Sequence, residues 1–255
     1  MSTQRPRGRP PKFPPEEVRR RLLDAARESL KIAGVESGLD AVTLDGAIVD
    51  ADVPRGMAYK IWQDDDQTPQ DAFRRSVALD LLSIPATAGL PATRSLVMKY
   101  FDEHRDILEN GTYEDRRVLL RDCMRFIGGF NYTSLAESVN WKLYGALRTA
   151  AITRPNVDPA LMDVLLAGEK YLLEEYCNLY QDVASAFGLR ARDGLTLEQF
   201  ATAAYALNEG MAQRVTDSPS RTGIMLEDAD GTPQEWTLFA IAFEGIVDRF
   251  FELIE

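Results

Sequence analysis

The chain has very few of the residues that build disulfide frameworks, metal sites or histidine-dependent catalysis. Its 255 residues include two cysteines, Cys123 and Cys177, and one histidine, His104. The cysteines lie far apart and form no CxxC pair, which argues against a disulfide framework or a thiolate metal site and fits a reducing cytosol. One histidine supports neither a histidine-rich metal site nor a triad with partners nearby in sequence. We therefore expect a cytoplasmic protein with no catalytic residues, no metal and no cofactor.

Long apolar runs and phosphate-binding loops are missing as well. The longest apolar run, from Trp236 to Phe243, has eight residues and is followed by Glu244, whereas a membrane span needs roughly 18. The basic N-terminus is not followed by the apolar core of a secretory signal. Neither a GxGxxG nor a GxxxxGK phosphate loop occurs. We expect no membrane partner.

Charge is divided unevenly along the chain, whose net charge is −11. Residues 1–62 hold eleven Lys and Arg and nine Asp and Glu, a balance of +2, and the remainder has a balance of −13. Phosphate repels the acidic remainder. A surface for nucleic acid must therefore lie in the first quarter of the chain.

The first twelve residues, MSTQRPRGRPPK, carry positive charge without any acid. Prolines keep this backbone extended, and a glycine lets it lie at the floor of a groove while the flanking arginines follow the narrow minor groove. The string PRGRP is identical to the core of the AT-hook, a minor-groove-binding element; the alternative is a solvated terminal tail. We interpret residues 1–14 as a flexible basic arm. Its predicted DNA-binding residues are Arg5, Arg7, Gly8, Arg9 and Lys12.

Apolar spacing and helix-boundary signals predict three helices over residues 15–66. The first begins at Pro15 and ends at Gly34, with apolar residues recurring at intervals of three and four. The second follows the N-cap Thr43, and the third runs from Pro54 or Arg55 through Trp62. Two short helices joined by a tight turn behind a longer one form a helix-turn-helix unit.

The third helix is the predicted recognition helix, whose first turn meets base edges in the major groove. Arg55 can pair with a guanine or a phosphate, and Lys60 and Tyr59 can contact phosphates. Thr43 can hold a phosphate through its hydroxyl and the free backbone N–H groups of a helix start. Tyr59 can instead pack in the core, as we expect of Trp62. The predicted DNA-binding residues here are Thr43, Arg55, Gly56, Met57, Tyr59 and Lys60.

The segment TLDGAIVDADVPRGMAYKIW, residues 43–62, resembles the DNA-binding domain of TetR-family transcriptional regulators. The shared features begin with the capping Thr43, Ala51 eight residues later and Val53 two residues after that. They continue with Arg55 and Gly56, then Tyr59 three residues after the glycine and the aromatic Trp62 three residues after the tyrosine. The string LLDAA in the first helix, and a basic arm before it, are also similar to that family. The resemblance implies a helix-turn-helix that binds DNA.

The sequence departs from the family pattern in the turn and just after the recognition helix. Asp52 stands where the family has Gly, and Asp tolerates a positive φ; Pro54 stands where it has Ser and brings no capping hydroxyl. The family's Lys after the aromatic, which touches phosphate, is missing, and the acidic residues 64–66 lie near its place. The basic arm is therefore expected to compensate for this lost contact.

The remainder, residues 67–255, shows apolar residues at helical spacing almost throughout and no sustained strand alternation. Residues 217–233, rich in Pro and Gly, are typical of a long mobile loop. The predicted fold class is all-α, a three-helix DNA-binding domain followed by a larger helical bundle for ligand binding and dimerisation. The candidate helices are 69–83, 92–109, 114–129, 133–152, 158–187, 195–216 and 234–254.

Residues 204–211, AYALNEGM, resemble the penultimate helix of TetR-type proteins. In that family the last two helices pair with their copies in a second subunit, so the resemblance implies a homodimer. The alternative is that both helices serve only the monomer's core. The expected interface residues are Leu207, Gly210, Met211, Ile241, Gly245 and Phe250.

The middle of the chain, where such families diverge, is the expected location of an effector pocket. Aromatic side chains with polar tips would suit a largely apolar ligand held by a few hydrogen bonds. The alternative for each is ordinary core packing. The candidate pocket residues are Phe101, Phe126, Phe130, Trp141, Tyr144, Tyr171 and Tyr176.

These features favour a ligand-responsive transcriptional regulator, by default a repressor. Such a homodimer binds a pseudo-palindromic double-stranded operator, and a small-molecule effector releases or alters it. Two other classes compete: a helical small-molecule carrier or enzyme, and an architectural DNA binder without effector control. The acidic run Asp64 to Asp66 suggests the diphosphate–metal motif of helical prenyl-transfer enzymes, but it lacks the spaced third Asp and favours a solvated loop.

Overall fold

The computed structural model describes residues 13–33, 39–63, 66–83, 89–153, 158–213, 223–227 and 231–254. The predicted basic arm lies outside them, apart from residues 13 and 14, as do Gly34, Asp64 and Asp65. Internal contacts divide the chain into two compact units, Met1–Ser83 and Ile84–Glu255. This division assigns residues 67–83, which we expected in the second domain, to the first unit.

The first unit contains four helices and a single 3-10 turn, Leu39–Ala41, among its described residues. The helices confirm the predicted order: they are α1 (Pro15–Ala33), α2 (Leu44–Asp50), α3 (Arg55–Ile61) and α4 (Pro69–Ser83). One face of α1 is buried against the other three helices. Val18, Leu22, Ala26 and Leu30 are fully buried on that face, at the spacing that predicts it.

Trp62 links the end of α3 to α4. Its ring packs edge-to-face on Phe73 with centroids 4.8 Å apart, and its Nε1 donates a hydrogen bond to the Ser76 hydroxyl at 2.9 Å. A buried indole with its N–H satisfied contributes apolar burial without an unpaired donor. Trp62 is therefore a core residue, as the sequence predicts.

The turn between α2 and α3 closes through a left-handed residue. Asp52 has φ +50°, the one described non-glycine residue with positive φ. The N–H groups of Asp52 and Val53 donate to the carbonyls of Val49 and Ile48, both at 3.3 Å, which is the hydrogen-bond pattern of a Schellman motif. The predicted tolerance of Asp for this conformation is confirmed, and the turn keeps its shape without glycine.

The second unit is a helical bundle with two short two-stranded sheets. Its helices are α5 (Leu90–Glu103), α6 (Arg105–Asn110), α7 (Tyr113–Cys123), α8 (Gly129–Glu137), α9 (Val139–Thr153), α10 (Pro159–Phe187), α11 (Leu197–Ala212) and α12 (Leu238–Phe250). A π-helical segment, Met124–Gly128, joins α7 to α8. The strands are β1 (Leu189–Ala191), β2 (Ile224–Glu227), β3 (Pro233–Trp236) and β4 (Phe251–Leu253). The all-α class is confirmed.

The strands correct the prediction at the C-terminal end of the chain. The expected helix over 234–254 begins only at Leu238, because Thr237 caps it by accepting from the Ala240 N–H at 3.1 Å. Within the expected loop 217–233, residues 224–227 form β2, which pairs antiparallel with β3. The last residues form β4, which pairs antiparallel with β1. Each paired strand has only three or four residues, which is too short for alternation of apolar and polar residues in the sequence to reveal the strand.

Gly188 separates α10 from β1. It ends α10 in the left-handed region, with φ +69°. A Cβ there would lie 2.9 Å from an Nη1 of Arg116. The same Arg116 donates through Nη2 to the carbonyl of Ile254 at 2.9 Å. Glycine therefore allows both the turn and the close approach of the arginine that holds the chain end.

Aromatic side chains fill the centre of the second unit. Phe200 lies among Tyr180, Phe243, Phe250 and Phe251, with ring centroids 4.8 to 5.8 Å apart. Such contacts add to the free energy gained by burying apolar area. None of the helices over the described ranges is long and apolar enough to cross a membrane.

Candidate functional site

The helix-turn-helix presents an exposed face made from both of its short helices. Thr43, Arg55, Gly56 and Lys60 are exposed, and Met57 and Tyr59 are half-buried. A Cβ on Gly56 would meet no atom within 4 Å, so the first turn of α3 is open to an approaching partner. All six DNA-binding residues predicted in the helix-turn-helix therefore lie at or near its surface.

Thr43 is the N-cap of α2. Its Oγ1 accepts a hydrogen bond from the Gly46 N–H at 3.1 Å. A Cβ on Gly46 would lie 2.9 Å from that oxygen, so the glycine allows the cap to close. The cap satisfies one of the free donors of the helix start.

Gln70 of α4 occupies another donor at this helix start. Its Oε1 accepts from the Leu44 N–H at 2.7 Å, and its Nε2 donates to the Val42 carbonyl at 2.9 Å. The N–H groups of Leu44 and Gly46 thus both have partners within the protein. A phosphate contact by Thr43 would consequently depend on its hydroxyl more than the sequence suggests.

Asp45 connects α2 to the predicted recognition helix. Its Oδ2 accepts a hydrogen bond from Arg55 Nη2 at 2.9 Å, and its Oδ1 accepts from the Tyr59 hydroxyl at 2.9 Å. The Arg55 guanidinium also lies over the Tyr59 ring, 5.4 Å from its centroid. Two predicted DNA-binding side chains therefore share one carboxylate in the absence of DNA. Sequence reasoning missed Asp45, although an acid in the first turn of α2 is an ordinary helix-start residue.

Lys60 differs from Arg55 in its surroundings. It is exposed and forms no ion pair with an acid among the described residues. An unpaired exposed lysine keeps its full charge available for a phosphate. Arg55, by contrast, must exchange Asp45 for any new anionic partner.

The second unit contains a cavity, partly open to solvent, between α5, α7, the π-helical segment, α8 and the last three helices. It leaves about 70 Å³ for the centres of water-sized molecules. The side chains that line it carry no formal charge: they include Thr93, Cys123, Asn131 and Tyr176 beside the rings of Tyr180, Phe200, Phe239 and Phe243. The cavity is therefore apolar with a few polar groups, as ligand sites commonly are.

The polar groups of the cavity belong to one buried cluster. Thr93 donates through Oγ1 to Asn131 Oδ1 at 3.1 Å. Burial raises the pKa of Tyr176, and the neighbouring side chains of Asn131 and Asn208 offset part of that rise. Asn208 is only 2% exposed, and neither amide atom has a hydrogen-bond partner within the described structure. A buried amide without partners is costly, so the Asn208 side chain, which lies beside Tyr176, has unused hydrogen-bonding capacity.

The π-helical segment forms one wall of the cavity. Met124, Ile127 and Gly128 all line it. A Cβ on Gly128 would lie 3.6 Å from the Phe239 ring, in ordinary contact with α12. π-helical segments occur often at functional sites, and Met adapts readily to a new neighbour.

Only one of the seven predicted pocket residues, Tyr176, lines this cavity. Trp141 and Tyr144 are buried and stack on each other with centroids 5.7 Å apart. Phe101 packs edge-to-face on Phe187 at 6.0 Å and faces a separate surface cleft. The three exposed members are Phe126, Phe130 and Tyr171.

Six of the seven predicted pocket residues do not line the cavity because clustering of aromatic residues in the sequence does not reveal which side of a helix faces the bundle axis. Phe126 and Phe130 point outward because they lie off the buried stripe, which continues through Cys123, Ile127 and Asn131. Asn131, at the buried stripe of α8, was the missed signal, because a polar residue on an apolar stripe marks a buried hydrogen-bonding site.

Trp141 and Tyr144 belong to a second buried cluster, centred on an ion pair between Arg148 and Glu209. Burial opposes the charge of Arg148, and Glu209 more than compensates, so the pKa of Arg148 is raised. Gln213 also donates to the Glu209 carboxylate at 2.9 Å. This pair joins α9 to α11 and is structural in its contacts.

The predicted dimer-interface residues lie on the outer side of the last two helices. Leu207, Met211, Ile241 and Phe250 are half-buried in the single chain, and Phe250 also packs on Phe200 at 5.6 Å. Gly210 and Gly245 are exposed, and a Cβ on either would meet no atom within 4 Å. Both helices thus offer small residues at which another helix backbone can approach.

The residues that carry nucleophilic or acid–base chemistry have structural contacts here. Burial raises the pKa of the Cys123 thiol to about 12, which keeps it protonated and unreactive. His104 Nδ1 lies 2.9 Å from the Tyr100 carbonyl oxygen. No group of three or more His, Cys, Asp or Glu side chains able to hold a metal occurs within the described ranges.

No protein-family model and no curated protein matches the sequence. Two crystal structures align with most of the chain. One is of a protein assigned to the TetR family of transcriptional regulators, from Rhodococcus sp.; it is 19% identical, has a TM-score of 0.38, and the match covers 78% of this chain and 87% of that chain. The other is of NemR from E. coli in its reduced form, 15% identical with a TM-score of 0.42, covering 77% of this chain and 85% of that one.

Proposed function

We propose that this chain is a transcriptional regulator of TetR type, which binds a double-stranded DNA operator as a homodimer and responds to a small-molecule effector. The observation that carries the proposal is the exposed face of the helix-turn-helix. There Thr43, Arg55, Gly56 and Lys60 are exposed together on two short helices, joined by a turn whose backbone groups are satisfied internally.

The chemistry of this face matches major-groove recognition. A recognition helix needs a first turn free of bulk, cations that reach phosphates, and a side chain able to read base edges. Gly56 leaves the first turn open, Lys60 offers an unpaired charge, and Arg55 can form a bidentate contact with guanine. Tyr59 supplies a hydroxyl for a phosphate once it leaves Asp45.

The basic arm adds a second, minor-groove contact. Arg7 and Arg9 flank Gly8 in a sequence that favours an extended backbone. A fourth-helix lysine is absent, so phosphate contacts that other TetR-type proteins make there must come from elsewhere. The arm supplies them with four cations.

The homodimer is supported by the outer faces of α11 and α12. Gly210 and Gly245 leave open space where a Cβ would lie, beside the half-buried Leu207 and Ile241. A two-fold dimer places two recognition helices on one side of the DNA, about 34–36 Å apart in successive major grooves. The expected operator is therefore pseudo-palindromic.

The cavity in the second unit supports effector control. A ligand there would favour a separation of the recognition helices that no longer fits the operator, with a coupling of about 1–3 kcal/mol. Repression, released or altered by the effector, is the default expectation. A carrier or enzyme would use the same cavity without binding DNA, and an architectural DNA binder would use the arm without the cavity.

Alanine variants at the exposed face test the DNA-binding part of the proposal. Lys60→Ala is expected to weaken binding to all duplexes and to lower the slope of log affinity against log salt by about 1. Arg55→Ala is expected to weaken binding to the preferred site more than to random duplex. Lys99→Ala, an exposed lysine on α5, is the matched control and should change neither value. Wild-type affinity in both Arg55→Ala and Lys60→Ala would refute this face as the interface.

A glutamate at the helix–helix contact tests the homodimer. Gly245→Glu adds a charge where the monomer has open space, so we expect monomers of 28.5 kDa by light scattering with unchanged helical content. Ala167→Glu, at an exposed position of α10, is the control and should remain dimeric. A wild-type protein that is monomeric at micromolar concentration would refute the interface.

A further inference from the structure

We propose that the cavity of the second unit binds a small uncharged ligand, about the size of one ring, that has an apolar body and a hydrogen-bond acceptor at one end. The inference rests on the proposed function only in taking this ligand as the effector. The geometry itself points to the chemical class.

The charge of the ligand is the first property for which the cavity is selective. The side chains that line the cavity carry no formal charge, and burial raises the pKa of Cys123 and Tyr180, which keeps both neutral. An ion entering the cavity would lose its hydration without gaining a counter-charge, which is costly. Both anionic and cationic ligands are therefore disfavoured.

The polar end of the cavity defines the second property. Tyr176 lies beside the side chains of Asn131 and Asn208, which offset part of the rise that burial causes in the pKa of the phenol. Tyr176 lines the cavity, as do Thr93 and Asn131. A carbonyl or ether oxygen of a ligand can accept a hydrogen bond from the Tyr176 hydroxyl, because a hydroxyl both accepts and donates.

The remaining walls define the apolar body. Phe200, Phe239 and Phe243 present rings to the cavity, with Phe239 and Phe243 stacked at 5.5 Å. The space, about 70 Å³ for the centres of water-sized molecules, exceeds the roughly 10–15 Å³ that one water needs. Several water-sized groups, such as the atoms of one ring, are accommodated, and the Met124 wall can adjust.

Four probes of similar size separate these properties: acetophenone, ethylbenzene, 1-phenylethylammonium and benzoate. Each is titrated into the full-length protein without DNA by calorimetry. We expect acetophenone to bind at least tenfold more tightly than either ion, and several-fold more tightly than ethylbenzene. Equal or tighter binding of an ion, or no binding of acetophenone at millimolar concentration, would overturn the inference.

Two variants test whether the probes bind in this cavity. Tyr176→Phe keeps the ring and is expected to lower acetophenone affinity to that of ethylbenzene while leaving ethylbenzene affinity unchanged. Its control is Tyr171→Phe, an exposed tyrosine on the same helix, which should leave both affinities unchanged. Ala184→Leu fills the cavity and should remove binding of both probes, whereas Ala167→Leu on the same helix should not. Equal effects of Tyr176→Phe and Tyr171→Phe would overturn the assignment.

The outcomes distinguish this inference from the proposed function. Acetophenone binding in a protein that binds no operator supports the ligand class and refutes the regulator. Operator binding without discrimination among the four probes supports the regulator and refutes the ligand class. Each claim can therefore fail alone.

Discussion

Asp45 accepts a hydrogen bond from Arg55 at 2.9 Å, which ties the two short helices of the helix-turn-helix together at the surface predicted to meet DNA. The same carboxylate accepts from the Tyr59 hydroxyl. Two of the side chains that would bind DNA, those of Arg55 and Tyr59, therefore already have an acidic partner in the protein. DNA binding then requires an exchange, in which phosphate or guanine replaces a carboxylate.

Neutralising Asp45 is expected to strengthen operator binding. Asp45→Asn removes a charge that competes for Arg55 and repels phosphate, and exposed pairs of this kind contribute little, so we expect a gain of about two- to fivefold. Fluorescence anisotropy with a labelled operator measures it. Asp50→Asn, on the same helix and exposed, makes the same charge change without this contact and should give a smaller gain. Equal gains would show that only bulk charge matters, and weaker binding of Asp45→Asn would show that Asp45 orients Arg55 for DNA.

Glycine substitutions at the left-handed Asp52 and at the neighbouring helical Asp50 are expected to change the free energy of unfolding in opposite directions. Asp52→Gly removes the steric cost of φ +50° and is expected to stabilise the first unit by about 0.5–1 kcal/mol. Asp50→Gly places the same substitution in the last turn of α2 and is expected to destabilise by a similar amount. Urea unfolding measures both values. A loss of stability in Asp52→Gly would mean that the carboxylate, rather than the backbone, sets the conformation of the turn.

Deleting residues 1–12 tests the basic arm. The deletion removes four cations, so operator affinity should fall and the salt dependence should become shallower. Light scattering should show an unchanged dimer, because the proposed interface lies in α11 and α12. Unchanged affinity in the truncated chain would identify the arm as a solvated tail.

The buried ion pair between Arg148 and Glu209 predicts a strong non-additive effect. Arg148→Met leaves a mostly buried carboxylate without its cation, which is expected to cost about 2–4 kcal/mol in the free energy of unfolding. The double variant Arg148→Met, Glu209→Met removes both charges and should recover at least half of that loss. Lys170→Met, from an exposed pair with Glu174, should change stability by about 0.5 kcal/mol or less. A double variant less stable than Arg148→Met alone would contradict this explanation.

The helices of the first unit are predictable from the sequence because the residues that indicate each helix lie close together in the chain. Val18, Leu22 and Ala26 repeat at the period of a helix, and Thr43 and Pro54 mark helix starts within a few residues. The contacts of Asp45 and Gln70 were not predictable, since they join helices whose relative angle is set only by tertiary packing.

In the second unit, the spacing of apolar residues predicts the helices but neither the strand pairing nor the position of the cavity. The helix over 158–187 was predicted almost to the residue, because Asp158 caps it and Gly188 ends it. The pairing of β1 with β4 was not, because it joins residues some sixty positions apart through ladders of three residues. Six of the seven candidate pocket residues do not line the cavity, and Phe126 and Phe130 miss it because they lie off the buried stripe of their helices.

The most direct test of the regulator is selection of bound fragments from random and genomic DNA by the full-length protein. We expect one pseudo-palindromic sequence to be enriched, with half-sites about one helical turn apart, and the affinity for it to fall steeply with salt. We also expect Arg55→Ala to lose this enrichment. Equal recovery of all sequences, or no DNA binding at low salt, would contradict the central claim.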